Sequence, residues 1–332
     1  MRIAVFSSQP YDRRFLDNAA SDANAVEFVH FEAGLTRDSV VISQGCDAIC
    51  CFVNDQVDRE VLSALAGLGI RLVLLRCAGF NNVDLQAAAE FDIVVMRVPE
   101  YSPHAVAEHT VALTLCLIRQ IHRAWSRVRE GDFRLSGLLG FDIHEKTVGV
   151  IGTGRIGTCV VNIFRGFGCR VLACDKYPNP ELVDAGVEYV EMPELLKQSR
   201  IVTLHCPLTI ETTHLINRHT ISLMQPGGII VNTSRGGLID TRSLIHGLKT
   251  QHVRGVALDV YEEEASLFFT DHSEQAIPDD VFARLLTFPN VLITGHQGFF
   301  TSEALTRIAE TTVANAQSFR DGNWVAANVV RA

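Results

Sequence analysis

The sequence predicts an α/β protein made of two doubly wound, mostly parallel sheets. Apolar runs of strand length alternate with amphipathic, helix-like stretches from end to end, the pattern of sheets covered on both faces by helices. The runs form two series separated by one long helical stretch, and 332 residues are more than one ordinary core serves.

The first series is RIAVFS, VEFVHF, AICCFV, RLVLLR and IVVMRVP, all within the first hundred residues. Next comes PHAVAEHTVALTLCLIRQIHRAWSRVRE, about eight turns at 3.6 residues per turn. Ser102 fits its N-cap and Pro103 its first helical position. The helix is apolar on more than one side, which suits a hinge between domains, a subunit interface or a packed core helix. The second series follows: KTVGVIG, RVLACD, IVTLHC, GIIVNTS, GVALDV and VLITGH. A last amphipathic helix, TSEALTRIAETTVANAQSFRDG, has no partner left in that series, so it is expected to cross back to the first domain.

Composition excludes several classes. Hydrophobic residues make up 47% and charged ones 20%, the balance of a globular enzyme and not of a disordered or membrane protein. A formal charge of −9 with no long basic run argues against nucleic acid or an anionic membrane as partner. VALTLCLI, the longest apolar stretch, is too short to span a bilayer. RIAVFS leads at once into polar residues, unlike a signal peptide. The nine cysteines include Cys50, Cys51, Cys116 and Cys174 in apolar runs, where a free thiol packs as a small hydrophobe. No Cys-x-x-Cys pair and no zinc-like spacing is present, so no metal is expected. The expected compartment is the cytoplasm.

VGVIGTGRIG, residues 148–157, is a strand entering a Gly-x-Gly-x-x-Gly turn. Gly152 suits the tight turn, Gly154 close approach of a pyrophosphate, and Gly157 close helix–strand packing. The helix starting near Arg155 and Ile156 aims its amides at the phosphates. The next strand ends in Asp175, about 20 residues on, where an acid meets the ribose hydroxyls. Asp175 would repel a 2′-phosphate, so NAD is expected over NADP. Ligands of such sheets lie outside the carboxyl ends of the strands. In the second series those ends carry His205, Cys206 and Pro207, then Thr233, Ser234 and Arg235, then Asp259, and last His296. The set suits hydride transfer to a 2-keto acid. Arginine meets a carboxylate with a planar fork, histidine donates a proton near neutral pH, and a carboxylate close to Asp259 favours imidazolium. Spacing alone leaves open which carboxylate of 259–264 that is.

RCAGFNNVD, VPEYSPHAVAEH, GVIGTGRIG, LHCPLT, VNTSRGGLID, LDVYEEE and TGHQGFF, in that order and almost end to end, resemble the D-isomer-specific 2-hydroxyacid dehydrogenases, above all their D-lactate-forming branch. The resemblance implies a Rossmann NAD-binding domain, residues 102–297, inserted into a flavodoxin-like substrate-binding domain formed by 1–101 and 298–332. It implies that Glu264 is the partner of the acid/base His296, leaving Glu262 and Glu263 as bystanders. It further implies that Arg235 binds substrate, that Asp259 supports the nicotinamide side, and that the Ala78 and Gly79 amides grip the substrate carboxylate. Phe52, Tyr101 and Phe299 fall where bulky side chains narrow the pocket, which favours pyruvate. A phosphoglycerate substrate is disfavoured by the expected lack of an appended regulatory domain and of extra cations beside Ala78. A formate substrate is disfavoured because that branch pairs its histidine with glutamine. Two alternatives stay open, a larger 2-keto acid and an NAD-responsive corepressor without catalysis. A homodimer or homotetramer is implied.

Overall fold

The computed structural model describes residues 1–21 and 26–331. Thirteen strands occur among them. The first series gives β1 (Arg2–Val5), β2 (Glu27–His30), β3 (Ala48–Cys51), β4 (Leu72–Leu75) and β5 (Val94–Arg97). Then follow β6 (Thr147–Ile151), β7 (Arg170–Cys174), β8 (Glu188–Tyr189), β9 (Ile201–Leu204), β10 (Gly228–Asn232), β11 (Val253–Leu258), β12 (Val291–Ile293) and β13 (Val329–Val330). All eleven apolar runs form strands. β8 and β13, two residues each, are too short for any periodicity to announce them.

The chain divides into two compact units, Met1–Ser102 together with the chain from Phe300 on, and Pro103–Phe299. The first holds a sheet of order β13-β5-β4-β3-β1-β2. β1 to β5 are parallel, with registers such as Ile3↔Ala48, and give the 2-1-3-4-5 order of flavodoxin-like sheets. β13 adds an antiparallel edge, Val329 opposite Met96. Ile3, Val5, Leu72, Leu74 and Met96 form a core with Ala309 and Ala316, so the helix Ser302–Arg320 does pack on this first sheet.

The second unit holds a wholly parallel sheet of order β12-β11-β10-β9-β6-β7-β8, which contains the 3-2-1-4-5-6 Rossmann order. Its two faces bury Val148, Val150, Val161 and Phe164 on one side, and Leu172, Leu195, Leu204 and Ile230 on the other. Because β6 lies between β7 and β9, the strand order reverses at the end of β6, where the glycine turn begins.

The expected eight-turn helix is two helices. Pro103–Ile118 is well buried through Ala107, Val111 and Leu117, whereas Ile121–Arg129 buries no residue fully. The break sits at Gln120, left-handed at φ 54. Its side-chain amide donates to the Leu117 carbonyl at 2.9 Å, which also accepts from the Gln120 main-chain amide at 3.3 Å, so both close the end of the first helix. Neither Gly nor Pro marks the spot, so hydrophobic periodicity runs straight through it.

Candidate active site

The glycines of the β6 turn differ as their roles require. Gly152 has φ +93, and a Cβ there would lie 2.4 Å from the Cys206 nitrogen. At Gly157 a Cβ would lie 1.9 Å from the Gly152 carbonyl oxygen, locking helix Arg155–Gly166 against the strand. Gly154, the N-cap of that helix, would meet nothing within 4 Å. Protein packing thus explains two glycines, and the third borders the space where a pyrophosphate would meet the helix amides. Asp175 ends the neighbouring strand. Its Oδ2 accepts from the Thr153 amide at 2.5 Å and the Thr153 hydroxyl at 3.1 Å, and its Oδ1 from the Tyr177 amide at 2.9 Å. Thr153 is in turn bonded by the Tyr189 hydroxyl at 2.9 Å. Neither Thr153 nor Tyr189 is marked as a site residue in the sequence; the spacing of Asp175 is the one feature that points towards them. Residues and shape fit a dinucleotide.

Beyond β9, burial pushes His205 down to about 3, so its ring is neutral at working pH; Nε2 lies 2.8 Å from the Thr203 hydroxyl. Burial likewise pushes the Cys206 thiol up to about 11, and it stays protonated. The Cys206 carbonyl accepts from Ser234 Oγ at 2.8 Å, joining the Cys206–Pro207 turn to the one after β10. There Thr233 bonds Thr110 at 2.7 Å, and Asn232 Nδ2 donates to the Arg235 carbonyl at 2.9 Å. Gly236 can only be glycine, because a Cβ would lie 2.0 Å from the Tyr261 carbonyl carbon. That close approach holds Arg235 beside the segment that follows β11.

His296 Nδ1 lies 2.8 Å from Glu264 Oε1, with side chains 19% and 22% exposed. Glu264 Oε2 accepts from the Tyr261 amide at 2.9 Å, which fixes the carboxylate. Two of the rival acids, Glu262 and Asp259, are engaged elsewhere, and the third, Glu263, is exposed. Glu262 bonds His214 at 2.5 Å and the Thr241 hydroxyl at 3.0 Å. Asp259, 1% exposed, accepts from Thr294 at 2.5 Å, His109 at 3.2 Å, and the Gln297 and Gly298 amides at 2.9 and 2.7 Å. Burial raises the Asp259 carboxyl, but the bonds from His109, Thr294 and Gln297 outweigh it and hold it below the usual range. His296 itself has φ 54, a costly conformation for a side-chain-bearing residue. Three successive bonds to Asp259 impose it, the first from the His296 amide to the Asp259 carbonyl at 2.7 Å. His109 and Thr294 were missed by the sequence reading; their only signal was the strand-end position of Thr294.

In the first unit, Ala78 and Gly79 follow β4 and are half-buried. Phe52 is 7% exposed beneath the Arg76 guanidinium, 4.9 Å from its ring, and Arg76 is paired with Asp12 at 3.0 Å. Tyr101 is half-buried. In the second unit Phe299 is 8% exposed. One expectation fails: a cation does stand beside Ala78. Arg97 Nη1 donates to the Ala78 carbonyl at 2.7 Å, because β5 pairs with β4 and brings its last residue next to the loop. Among the described residues no group of His, Cys, Asp or Glu is arranged to hold a metal, and no helix is long and apolar enough to cross a membrane.

A Rossmann-ordered sheet with a dinucleotide cradle at its switch point, and titratable side chains at the ends of neighbouring strands, defines a nicotinamide-dependent oxidoreductase. The family model for the D-isomer specific 2-hydroxyacid dehydrogenase NAD binding domain matches residues 111–298. The chain is 52% identical over 320 residues, 96% of each chain, to 2-hydroxyacid dehydrogenase homolog 2 of Schizosaccharomyces pombe. It superposes on D-lactate dehydrogenase from Escherichia coli with a TM-score of 0.91 and 44% identity, over 99% of this chain and 100% of that one. With the pyruvate reductase of Chlamydomonas reinhardtii the TM-score is 0.93 and the identity 42%, over 98% of each. The chain belongs to the D-isomer specific 2-hydroxyacid dehydrogenase family and is an NAD-dependent D-2-hydroxyacid dehydrogenase.

Proposed function

We propose that this protein is a D-lactate dehydrogenase that reduces pyruvate to D-lactate. The observation that carries the reading is the Glu264–His296 pair at 2.8 Å. Bound NADH supplies the hydride. With Nδ1–H held by Glu264, the His296 ring is left with Nε2 to protonate the carbonyl oxygen as negative charge grows there. The carboxylate, itself held by the Tyr261 amide, fixes the orientation of the ring. Arg235 meets the substrate's carboxylate and carbonyl oxygens with its fork, and the Ala78 and Gly79 amides take the carboxylate. Phe52, Tyr101 and Phe299 limit the length of the substrate side chain. Gly152, Gly154, Arg155, Ile156 and Gly157 hold the pyrophosphate and Asp175 the ribose. His205, Cys206, Pro207, Thr233 and Ser234 line the cofactor's course, and Asp259 shapes the nicotinamide side by fixing the His296 loop.

The similarity to a D-lactate dehydrogenase and a pyruvate reductase supports pyruvate over a branched or aromatic 2-keto acid. The intact Arg235, Glu264 and His296 support catalysis over a corepressor role. A steady-state survey of pyruvate, oxaloacetate, 2-ketoisocaproate and phenylpyruvate, with NADH and with NADPH, tests the reading. The highest kcat/KM is expected for pyruvate with NADH. A larger acid preferred to pyruvate would reassign the substrate, and no turnover of any would leave the corepressor.

Ile121, Trp125 and Val128, at i, i+4 and i+7, are 53%, 61% and 51% exposed on a helix with no fully buried residue. We assign this apolar stripe to contact with a second copy of the chain, the self-association that the family resemblance implies. Trp125→Glu is expected to lower the mass in solution; an unchanged mass would place the contact elsewhere. All nine cysteines are free, which supports a reducing compartment such as the cytoplasm.

A further inference from the structure

Among the described residues, the loop after β4 leaves two amides without protein acceptors. Neither the Ala78 nor the Gly79 N–H donates to another group among the described residues. The carbonyls on the other side of the same two peptides are both occupied. The Cys77 carbonyl accepts from the Val98 amide at 3.1 Å, and the Ala78 carbonyl from Arg97 Nη1 at 2.7 Å. No peptide among the described residues is cis, so in each unit C=O and N–H point in opposite directions. The end of β5 therefore stands behind both peptides, and their amides face away from it.

We propose that Arg97 is a positioning residue for the substrate carboxylate: its guanidinium, bonded to the Ala78 carbonyl, fixes and polarises the peptide whose Gly79 N–H takes the carboxylate. The inference rests on the reading that these amides bind the carboxylate. A guanidinium never loses its charge in a protein, and a cation on the carbonyl draws electron density from the amide nitrogen, strengthening the bond that N–H donates. Arg97 is itself held. Its guanidinium lies 5.0 Å from the centre of the Phe80 ring. Its carbonyl accepts from Asn315 Nδ2 at 2.9 Å, and Asn315 Oδ1 accepts from Asn328 Nδ2 at 2.7 Å. Asn315 is 1% exposed, and Asn328 leads directly into β13, which pairs beside Arg97 at Met96. The antiparallel strand and the last long helix thus brace the residue that braces the loop.

The test compares Arg97→Met and Arg97→Lys in the full chain, with Gly79→Pro to delete the Gly79 N–H. For each, the readouts are pyruvate KM, oxamate affinity in the presence of NADH, NADH KM, kcat and melting temperature. Arg97→Met is expected to raise pyruvate KM and weaken oxamate by about 10-fold, the scale of a lost charge-assisted hydrogen bond. NADH KM should stay put, and kcat at saturating pyruvate should stay within about twofold. Arg97→Lys keeps the charge and one donor, and recovers part of the loss. A merely structural role would move melting temperature and NADH KM together and would give no graded recovery. An unchanged pyruvate KM in Arg97→Met, or a parallel rise in NADH KM, overturns the proposal. If Gly79→Pro raises pyruvate KM while Arg97→Met does not, the loop reading stands and the role of Arg97 falls; if neither raises it, both fall.

Discussion

Gly154→Ala separates a glycine kept for a ligand from one kept for the fold. At Gly152 the backbone has φ +93, and a Cβ would sit 2.4 Å from one backbone atom and 2.6 Å from another. Strain of about 1–3 kcal/mol and overpacking of similar size predict a plainly destabilised Gly152→Ala. Gly154 has φ −63 and ψ −165, an extended conformation open to any residue, and a Cβ meets nothing within 4 Å. Alanine restricts the unfolded chain, a gain of about 0.4–1 kcal/mol, and loses a comparable amount as a poorer N-cap. The net change in stability is therefore within about 1 kcal/mol. With Gly154 assigned to the pyrophosphate as proposed, the same methyl would stand in the phosphates' path to the helix amides, so NADH affinity should fall by at least ~10-fold, or about 1.4 kcal/mol. Thermal unfolding without cofactor and fluorescence titration with NADH measure the two effects separately. A Gly154→Ala protein that binds NADH as tightly as wild type refutes the assignment of that space to the cofactor.

Three further outcomes are expected. Glu264→Gln removes the carboxylate that holds the His296 ring at 2.8 Å; kcat/KM for pyruvate should fall about 10-fold or more while NADH binding persists, and an unchanged kcat/KM would detach Glu264 from the acid/base pair. Arg235→Lys keeps a charge but loses the fork, so pyruvate KM should rise about 10-fold or more with NADH affinity unchanged; a collapse of NADH affinity instead would put Arg235 in the cofactor site. Asp259 is held below its ordinary value, so it contributes stability that is full above the unfolded carboxyl range near 4 and is lost as pH falls through its lower folded value. Urea melts from pH 7 to pH 3 should show that acid-sensitive component in wild type and not in Asp259→Asn, and matching slopes would remove Asp259 as its source.

Much of this protein is legible in one dimension because its signals are local. Most apolar runs bury their strand on both faces, the edge strands β2 and β12 staying half-exposed, and in the second sheet the residue ending a strand is placed by sheet geometry at the rim where ligands bind. Gly152, Gly157 and Asp175 follow from spacing within a single βαβ unit, and so did the expectation of NAD. Where the chain had to choose among equals, only folding decided. Three glutamates and an aspartate stand within six residues, and tertiary bonds engage Glu262 with His214 and Asp259 with His109 while leaving Glu264 to His296. The turn at Gln120 is made without glycine or proline, its side-chain amide bonded to the Leu117 carbonyl, and hydrophobic periodicity does not register such a bond. Arg97 and Ala78 lie 19 residues apart. They meet because β4 and β5 are neighbours in one sheet, and the sequence determined that both strands exist while long-range pairing alone determined that they touch.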